Sequence, residues 1–405
     1  MKKPYFALVP SGYKSSKIYS ILPVDGSGDL TFARTSESTR VAENGLIQST
    51  ASGLPTMDWL NSDCPSFKME NLSTNYQFNS QDFRASNWVA SNVDVTGNIT
   101  ADPKGIENAD ELIPNTTNTF HHIQDVTTGF NQGALITYSL FVKKAGFSQV
   151  ELLLADGAAP FGTFGQVKFD LDTLQTFGTT IGSFKYQDYG NGWYRLAITG
   201  NALSNNGAIV RAAAFKLESQ TFAGNGVDGL SIWGAQVEAN PVASSYIYTT
   251  SGSVTRSTDV VSPKTLGINK VKGTVFLDLK ASDVGYQSFI KLIGGPYNRI
   301  DFVFDSSKRL NISIGNGPAP PFYSYQYVHN QERFRFAVRW NNGTYSVFIN
   351  GVNVGNFTTS SVFTSLNQLA FNQGSGLLNF VGDVYEVGIY NENLTDAEII
   401  KLTTI

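Results

Sequence analysis

Apolar and polar residues alternate with a period of two over much of the chain, and the alternation is cleanest in its last third. Val275, Leu277 and Leu279 interleave with Thr274, Asp278 and Lys280. Ile300, Phe302 and Phe304 interleave with Asp301 and Asp305, and Leu310, Ile312 and Ile314 with Asn311 and Ser313. Phe334, Phe336, Val338 and Trp340 share one face, opposite Arg333, Arg335 and Arg339. Successive side chains of a strand point to opposite sides, so each run predicts a strand with one buried and one wet face. Asn341-Asn342-Gly343 and Asn350-Gly351 are tight hairpin turns by composition. Thr395 and Glu398 stand three apart before Ile399-Ile400, which predicts a capping box opening one short helix. Residues 261–405 therefore read as one β-sandwich closed by a helical clip.

Upstream, Ile136, Tyr138, Leu140 and Val142 alternate with Thr137, Ser139 and Phe141. Further strands are predicted over 149–154, 165–170, 194–199, 208–215 and 230–238, separated by Gly, Asp and Asn turns. Gly190-Asn191-Gly192 supplies the positive-φ positions of one such turn. Strands spaced this way without intervening helices predict an antiparallel sandwich over 71–260. Residues 1–70 are rich in Ser, Gly, Thr and Pro and show weak periodicity. They are expected to be an extended N-terminal anchor segment docked on another body. The fold class is thus all-β: two antiparallel β-sandwich (jelly-roll) domains in tandem after that segment.

Composition sharpens this picture. In 405 residues, charged residues make up only 15% and aromatics 13%, with 38 Gly. That suits a turn-rich β protein and not a helical bundle or a disordered chain. A net charge of -4 gives no electrostatic basis for nucleic-acid or anionic-membrane binding. Cys64 is the single cysteine, so an internal disulfide and a CxxC metal site are excluded. No run approaches the roughly 20 apolar residues needed to cross a bilayer. The apolar run after Met1-Lys2-Lys3-Pro4 is too short for a signal-peptide core.

Phe336-Ala337-Val338-Arg339-Trp340, residues 345–351, the closing residues 382–391 and residues 394–400 resemble concanavalin-A-like domains of the laminin-G/pentraxin type. A second resemblance runs over residues 25–260. It is carried by Phe32-Ala33-Arg34, Thr39-Arg40-Val41, Asn44-Gly45-Leu46-Ile47, Cys64-Pro65-Ser66, Thr74-Asn75, Ser80-Gln81-Asp82-Phe83 and Trp88. It continues through residues 191–195, 233–238 and 245–247. This order is similar to a module of bacteriophage virion proteins that includes a carbohydrate-binding-module-type jelly roll. The resemblance implies a virion component, such as a tail or head fibre or a receptor-binding appendage. It would be made in the bacterial cytoplasm, associate as a homo-trimer, contact other virion proteins and bind host-surface polysaccharide. An architectural capsid or connector role without glycan binding is the alternative, and a polysaccharide depolymerase a third reading.

The candidate chemistry is sparse. Trp193 and Trp233 lie inside strand patterns, so core packing is favoured over sugar stacking. The loop 315–327 holds three prolines and Phe322, Tyr323, Tyr325 and Tyr327. These aromatics, with Tyr297, are the candidates for a ligand contact or a subunit interface, local packing being the other reading. Glycan hydrolysis requires two carboxylates facing one bond. Glucanases of the resembled fold set acids at i, i+2 and i+4, whereas Asp383 and Glu386 are three apart. Strict alternation points them to opposite faces, so no enzyme activity is expected. Asp170 and Asp172 read as solvated turn acids. His121, His122 and His329 are too few for an ordinary histidine metal site, and adjacent His121 and His122 would face apart. No cofactor is expected; the resemblance leaves room only for calcium on loop oxygens, where Asp283, Asp301 and Asp305 are available without a dedicated spacing.

Overall fold

The computed structural model describes residues 2–60, 62–158, 161–282, 287–295, 298–316, 323–330, 332–360, 362–374 and 378–405. It is built almost wholly of antiparallel sheets, as the alternation predicts. The chain divides into two compact units, each described in turn: residues 1–37, 50–72 and 257–405 form one, and residues 38–49 and 73–256 the other.

The first unit is a sandwich of an eight-stranded and a six-stranded sheet. The larger runs Val352–Thr358, Thr344–Ile349, Phe334–Asn341, Lys272–Ala281, Gly382–Tyr390, Ser66–Met69 and Thr56–Asp58, with Phe6–Leu8 also paired to Gly382–Tyr390. The smaller runs Lys264–Thr265, Gln368–Ala370, Ser288–Ile293, Asn298–Phe304, Arg309–Asn316 and Tyr323–Val328. Their facing sides form one core, with Val275, Leu277, Leu279, Phe336, Val338 and Trp340 from the first and Ile300, Phe302, Leu310 and Ile312 from the second. Two hairpins close as their sequences require: Asn342 and Gly343 have φ of 44° and 87°, and Asn350 and Gly351 of 47° and 80°. The helix Asp396–Thr403 starts in the expected Thr395/Glu398 capping box. It lays Ile399 on Phe276, Ala337, Phe348 and Tyr390, on the side of the larger sheet away from the sandwich core.

Residues 1–70, expected to be an extended anchor segment docked on another body, instead supply strands to the two units themselves, most of them to the larger sheet and core of the first unit. Phe6, Ala7 and Leu8 pair with Ile389, Gly388 and Val387, and Phe67 and Lys68 pair with Val384 and Asp383. Phe6, Leu8, Ile18, Phe32, Met57, Phe67 and Met69 are buried in the sandwich core. Weak local periodicity misled because these strands are short and gain their burial from partners distant in sequence. Arg34 ties the pieces together: its Nη1 donates to Thr56 Oγ1 and to Asp259 Oδ1, both at 3.0 Å, and its Nη2 to the carbonyls of Thr50, Ala51 and Leu54. Asp259 Oδ2 accepts the Glu70 amide at 2.8 Å.

The second unit is a sandwich of two six-stranded sheets. One runs Val89–Ser91, His122–Thr127, Ala208–Phe215, Gln149–Asp156, Thr163–Asp170 and Gln175–Thr176. The other runs Val93–Ala101, Glu107–Pro114, Gly229–Glu238, Leu135–Ala145, Tyr194–Asn201 and Ser183–Asp188. Ile123, Val150, Leu152, Val210 and Ala212 meet Ile136, Tyr138, Leu140, Leu196, Ile198 and Ile232 between them. Trp193 and Trp233 are both buried, as their strand contexts predict. Trp193 Nε1 donates to the Ala101 carbonyl at 3.0 Å, while Trp233 packs on Phe141 and Tyr246. Gly190, Asn191 and Gly192 all have positive φ, so the turn before Trp193 forms as read. No helix among the described residues is long and apolar enough to cross a membrane.

Candidate functional site

In the first sheet of the second unit, the side turned away from the core carries the most suggestive chemistry. Cross-strand registers place Gln124, Arg211, Leu153 and Gln166 in one row, and His122, Ala213, Glu151 and Lys168 in the next. Alternation puts these residues on one face, because Ile123, Leu152, Val167, Val210 and Ala212 between them fill the core. Leu153, Ala213 and Glu151 are buried, whereas Gln124, Gln166, Lys168 and Arg211 around them are partly buried, the Arg211 side chain being 19% exposed. We refer to this face, with its buried centre and its partly exposed polar surround, as the recess of the second unit.

Glu151 is the hub of the recess. Only 1% exposed, it accepts Arg211 Nε at 3.2 Å and Nη2 at 2.6 Å on Oε1, and Gln166 Nε2 at 2.7 Å on Oε2. A buried carboxylate needs such partners, and they fix the guanidinium and the amide in place. Aromatic rings flank the hub. The Arg211 guanidinium lies 4.7 Å from the Phe120 centroid, and Phe120 stacks on His122 at 4.7 Å. Lys168 Nζ lies 5.0 Å from the Phe215 centroid, and Phe177 meets Phe215 edge-on. Burial, helped by the charge of Arg211 and by His121, pulls the His122 imidazole down to about 4, so it is neutral at pH 7. His121 lies between the strands Thr119–Phe120 and His122–Thr127 and is buried, with its ring nitrogens on the Asn92 and Phe222 carbonyls. Sequence reasoning passed over this face. Its signal is the pattern of polar residues two apart, Gln166 and Lys168 or His122 and Gln124, inside otherwise apolar strands.

The expected aromatic candidates fall elsewhere. Tyr297 and Phe322 lie outside the described residues. Of the expected loop over 315–327, residues 317–322 lie outside the described residues and the described ones are strand: Arg309–Asn316 and Tyr323–Val328 pair at the edge of the six-stranded sheet. Tyr325 and Tyr327 are half-buried against the sandwich core, and Tyr327 Oη accepts Asn350 Nδ2 at 3.1 Å. Of Tyr323 only the strand position is described.

The carboxylates of the first unit require a correction. Asp383 and Glu386 do not point to opposite faces. Val384 and Val387 are both buried in the core, and the register slips between Asp278 opposite Glu386 and Leu279 opposite Val384. The slip is a β-bulge whose extra residue, Tyr385, resets the alternation, so that Asp383 and Glu386 share the outer face with Asp278. The group is heavily paired. Asp278 accepts Arg333 Nε and Nη2 and Arg335 Nε, all at 2.7 Å. Arg333 in turn covers the Tyr385 ring at 3.9 Å. Asp383 Oδ1 accepts Ser66 Oγ at 3.0 Å, and Lys68 pairs with Asp58. Burial raises the carboxyls of Asp383 and Glu386, with the Asp278 charge adding to the rise at Glu386.

The remaining acids are satisfied locally. Asp170 Oδ1 accepts the Asp172 amide in a turn, and Asp172 pairs with Lys144. Asp301 pairs with Arg299 and Lys291, and Asp305 with Arg309 and Asn311, whereas Asp283 lies outside the described residues. Among the described residues no three His, Cys, Asp or Glu side chains are grouped to hold a metal ion.

Residues 255–400 match a family model described as the concanavalin A-like lectin/glucanases superfamily, in agreement with the sandwich that they form. No curated protein matches the chain. Among solved structures, the CBM40 domain of a Ruminococcus gnavus IT-sialidase bound to alpha2,3 sialyllactose is similar at 19% identity. That match covers 33% of this chain and 83% of that one with a TM-score of 0.29. Domains LG4-5 of the mouse laminin alpha1 chain are 9% identical over 69% of this chain and 91% of that one, with a TM-score of 0.24. A Trypanosoma rangeli sialidase in complex with sialic acid is 11% identical over 73% of this chain and 59% of that one, with a TM-score of 0.27. Superpositions this loose carry no conclusion about ligand or activity.

Proposed function

We propose that the chain is a non-enzymatic virion protein that attaches to host-surface glycans through the recess of its second unit. The observation that carries the reading is the Arg211–Glu151–Gln166 network standing in that recess. Fixed donors beside partly buried amides suit a ligand dense in hydroxyls, and immobilising them in advance reduces the ordering cost of binding. The virion setting rests on the resemblance carried by residues such as Arg34, Thr39, Asn44 and Ser245 to Ile247. A homo-trimer would multiply weak single-site contacts by avidity.

The test is a glycan array probed with the intact chain and with the double variant Glu151→Gln/Arg211→Gln, which removes both charges together. Array binding that falls at least ten-fold in the double variant, with its melting transition retained, is the expected result. Absence of glycan binding by the intact chain, in the presence of virion incorporation, would favour the architectural role instead.

A second reading has one observation behind it. The Tyr385 bulge gathers Asp278, Asp383 and Glu386 on one face, which removes the geometric objection to a depolymerase. Their pairing with Arg333, Arg335 and Ser66 argues for an ion-pair scaffold. Release of reducing sugar from host capsule that disappears in Asp383→Ala and in Glu386→Gln would establish the enzyme.

A further inference from the structure

We infer that the recess of the second unit selects acidic, carboxylate-bearing polysaccharide over neutral glycan, an inference that rests on the glycan-binding reading of the same face. The aromatic rings there are not open platforms. Phe215 is 1% exposed and carries the Lys168 ammonium, and Phe120 is occupied by His122 on stacking and by the Arg211 guanidinium. A neutral pyranose gains most from a bare ring face. Here the rings hold cations instead, positioning each by its attraction to the π-system and leaving its other side to the ligand.

The two cations and two acids of the face balance in charge, but the donors left over on it point the same way. Its two acids are already committed. Both Glu151 oxygens are taken by Arg211 and Gln166. Asp170 at the rim accepts Gln149 Nε2 at 2.9 Å and the Asp172 amide at 2.9 Å. Lys168 lies opposite Glu151 in the register, yet among the described residues it forms no ion pair. Arg211 Nη1 likewise has no protein acceptor among the described residues, since its bonds leave from Nε and Nη2. Two cationic groups with unspent donors therefore share this face, each held against an aromatic ring. A carboxylate on a sugar ring satisfies both, through charge-assisted hydrogen bonds that a hydroxyl makes only more weakly.

The experiment titrates the full chain with polyglucuronic acid and polysialic acid, each beside its carboxyl-reduced counterpart, at low and at physiological salt. Binding of the acidic forms at least ten-fold tighter than the reduced forms, weakening as salt rises, is expected. Lys168→Gln should narrow that ratio several-fold while leaving the melting transition in place, because the side chain makes no ion pair. Equal binding of acidic and reduced polymers, or a ratio untouched by Lys168→Gln, overturns the acidic selection and leaves a neutral-glycan site standing. Failure of all four polymers, together with a blank glycan array, removes the glycan-binding reading itself.

Discussion

Asp278 stands directly across from Glu386 in the pairing of Lys272–Ala281 with Gly382–Tyr390, and the extra residue beside that pair, Tyr385, lies under the Arg333 guanidinium. Two carboxylates this close are tolerable because Arg333 and Arg335 both hold Asp278. Glu386 bears the strain, with its carboxyl raised by burial and then by the Asp278 charge.

A pH dependence of the first unit follows. The folded form holds protons on Glu386 and Asp383 more tightly than the unfolded chain does. That contribution to stability is full below the ordinary carboxyl range and is lost as pH rises through the raised folded values. Glu386→Gln should therefore stabilise the chain at pH 8 by up to roughly 1 kcal/mol, a figure reduced by solvent screening at a half-exposed site. It should also flatten the stability profile on the acid side of neutrality. Urea unfolding of both forms across pH 5–8 measures it, and a loss of stability at pH 8 would contradict it.

The second unit should respond in the opposite sense. His122 is pulled down to about 4 by burial, Arg211 and His121. The unfolded chain thus binds the proton more tightly, and stability falls as pH drops from the ordinary imidazole range toward 4. His122→Gln should remove on the order of 1 kcal/mol of that acid sensitivity. Hydrogen exchange resolved by unit, at pH 7 and pH 5, separates this effect from that at Glu386.

Asp259→Ala should be among the most damaging single changes. It leaves the Arg34 guanidinium buried at 0% side-chain exposure without its carboxylate, and removes the acceptor of the Glu70 amide. Breaking a buried pair from one side costs about 3–5 kcal/mol. A denaturation midpoint within a few tenths of a molar of the parent would show the pair to be dispensable.

Trp233→Ala tests core against platform. The ring sits between Phe141 and Tyr246, so truncation should cost about 3–5 kcal/mol. Glycan affinity of the remaining folded protein should be unchanged. A selective loss of affinity would place Trp233 in a binding site.

Much of the fold was legible because local chemistry decided it. The Asn350-Gly351 hairpin, the Gly190–Gly192 turn and the Thr395/Glu398 cap each need particular backbone angles or partners that their own residues supply. The bulge at Tyr385 was less visible, since a one-residue slip leaves composition unchanged. Its trace was the three-residue step between the buried valines 384 and 387. The joining of Phe6–Leu8 to Gly382–Tyr390 had no local trace at all, because neither strand names its partner. The recess at Glu151 escaped for a related reason: four strands each contribute one or two polar residues, and only the register brings them together.

That register also bears on how the chain is made. Residues 38–49 and 73–256 leave the ribosome with every partner strand of their unit already present. Residues 6–8 must wait for 387–389, with an entire folded body threaded between them. The first unit is thus the last to close, and until synthesis reaches the 382–390 strand its early strands expose open edges that a nascent-chain chaperone, or a neighbouring copy, is free to occupy.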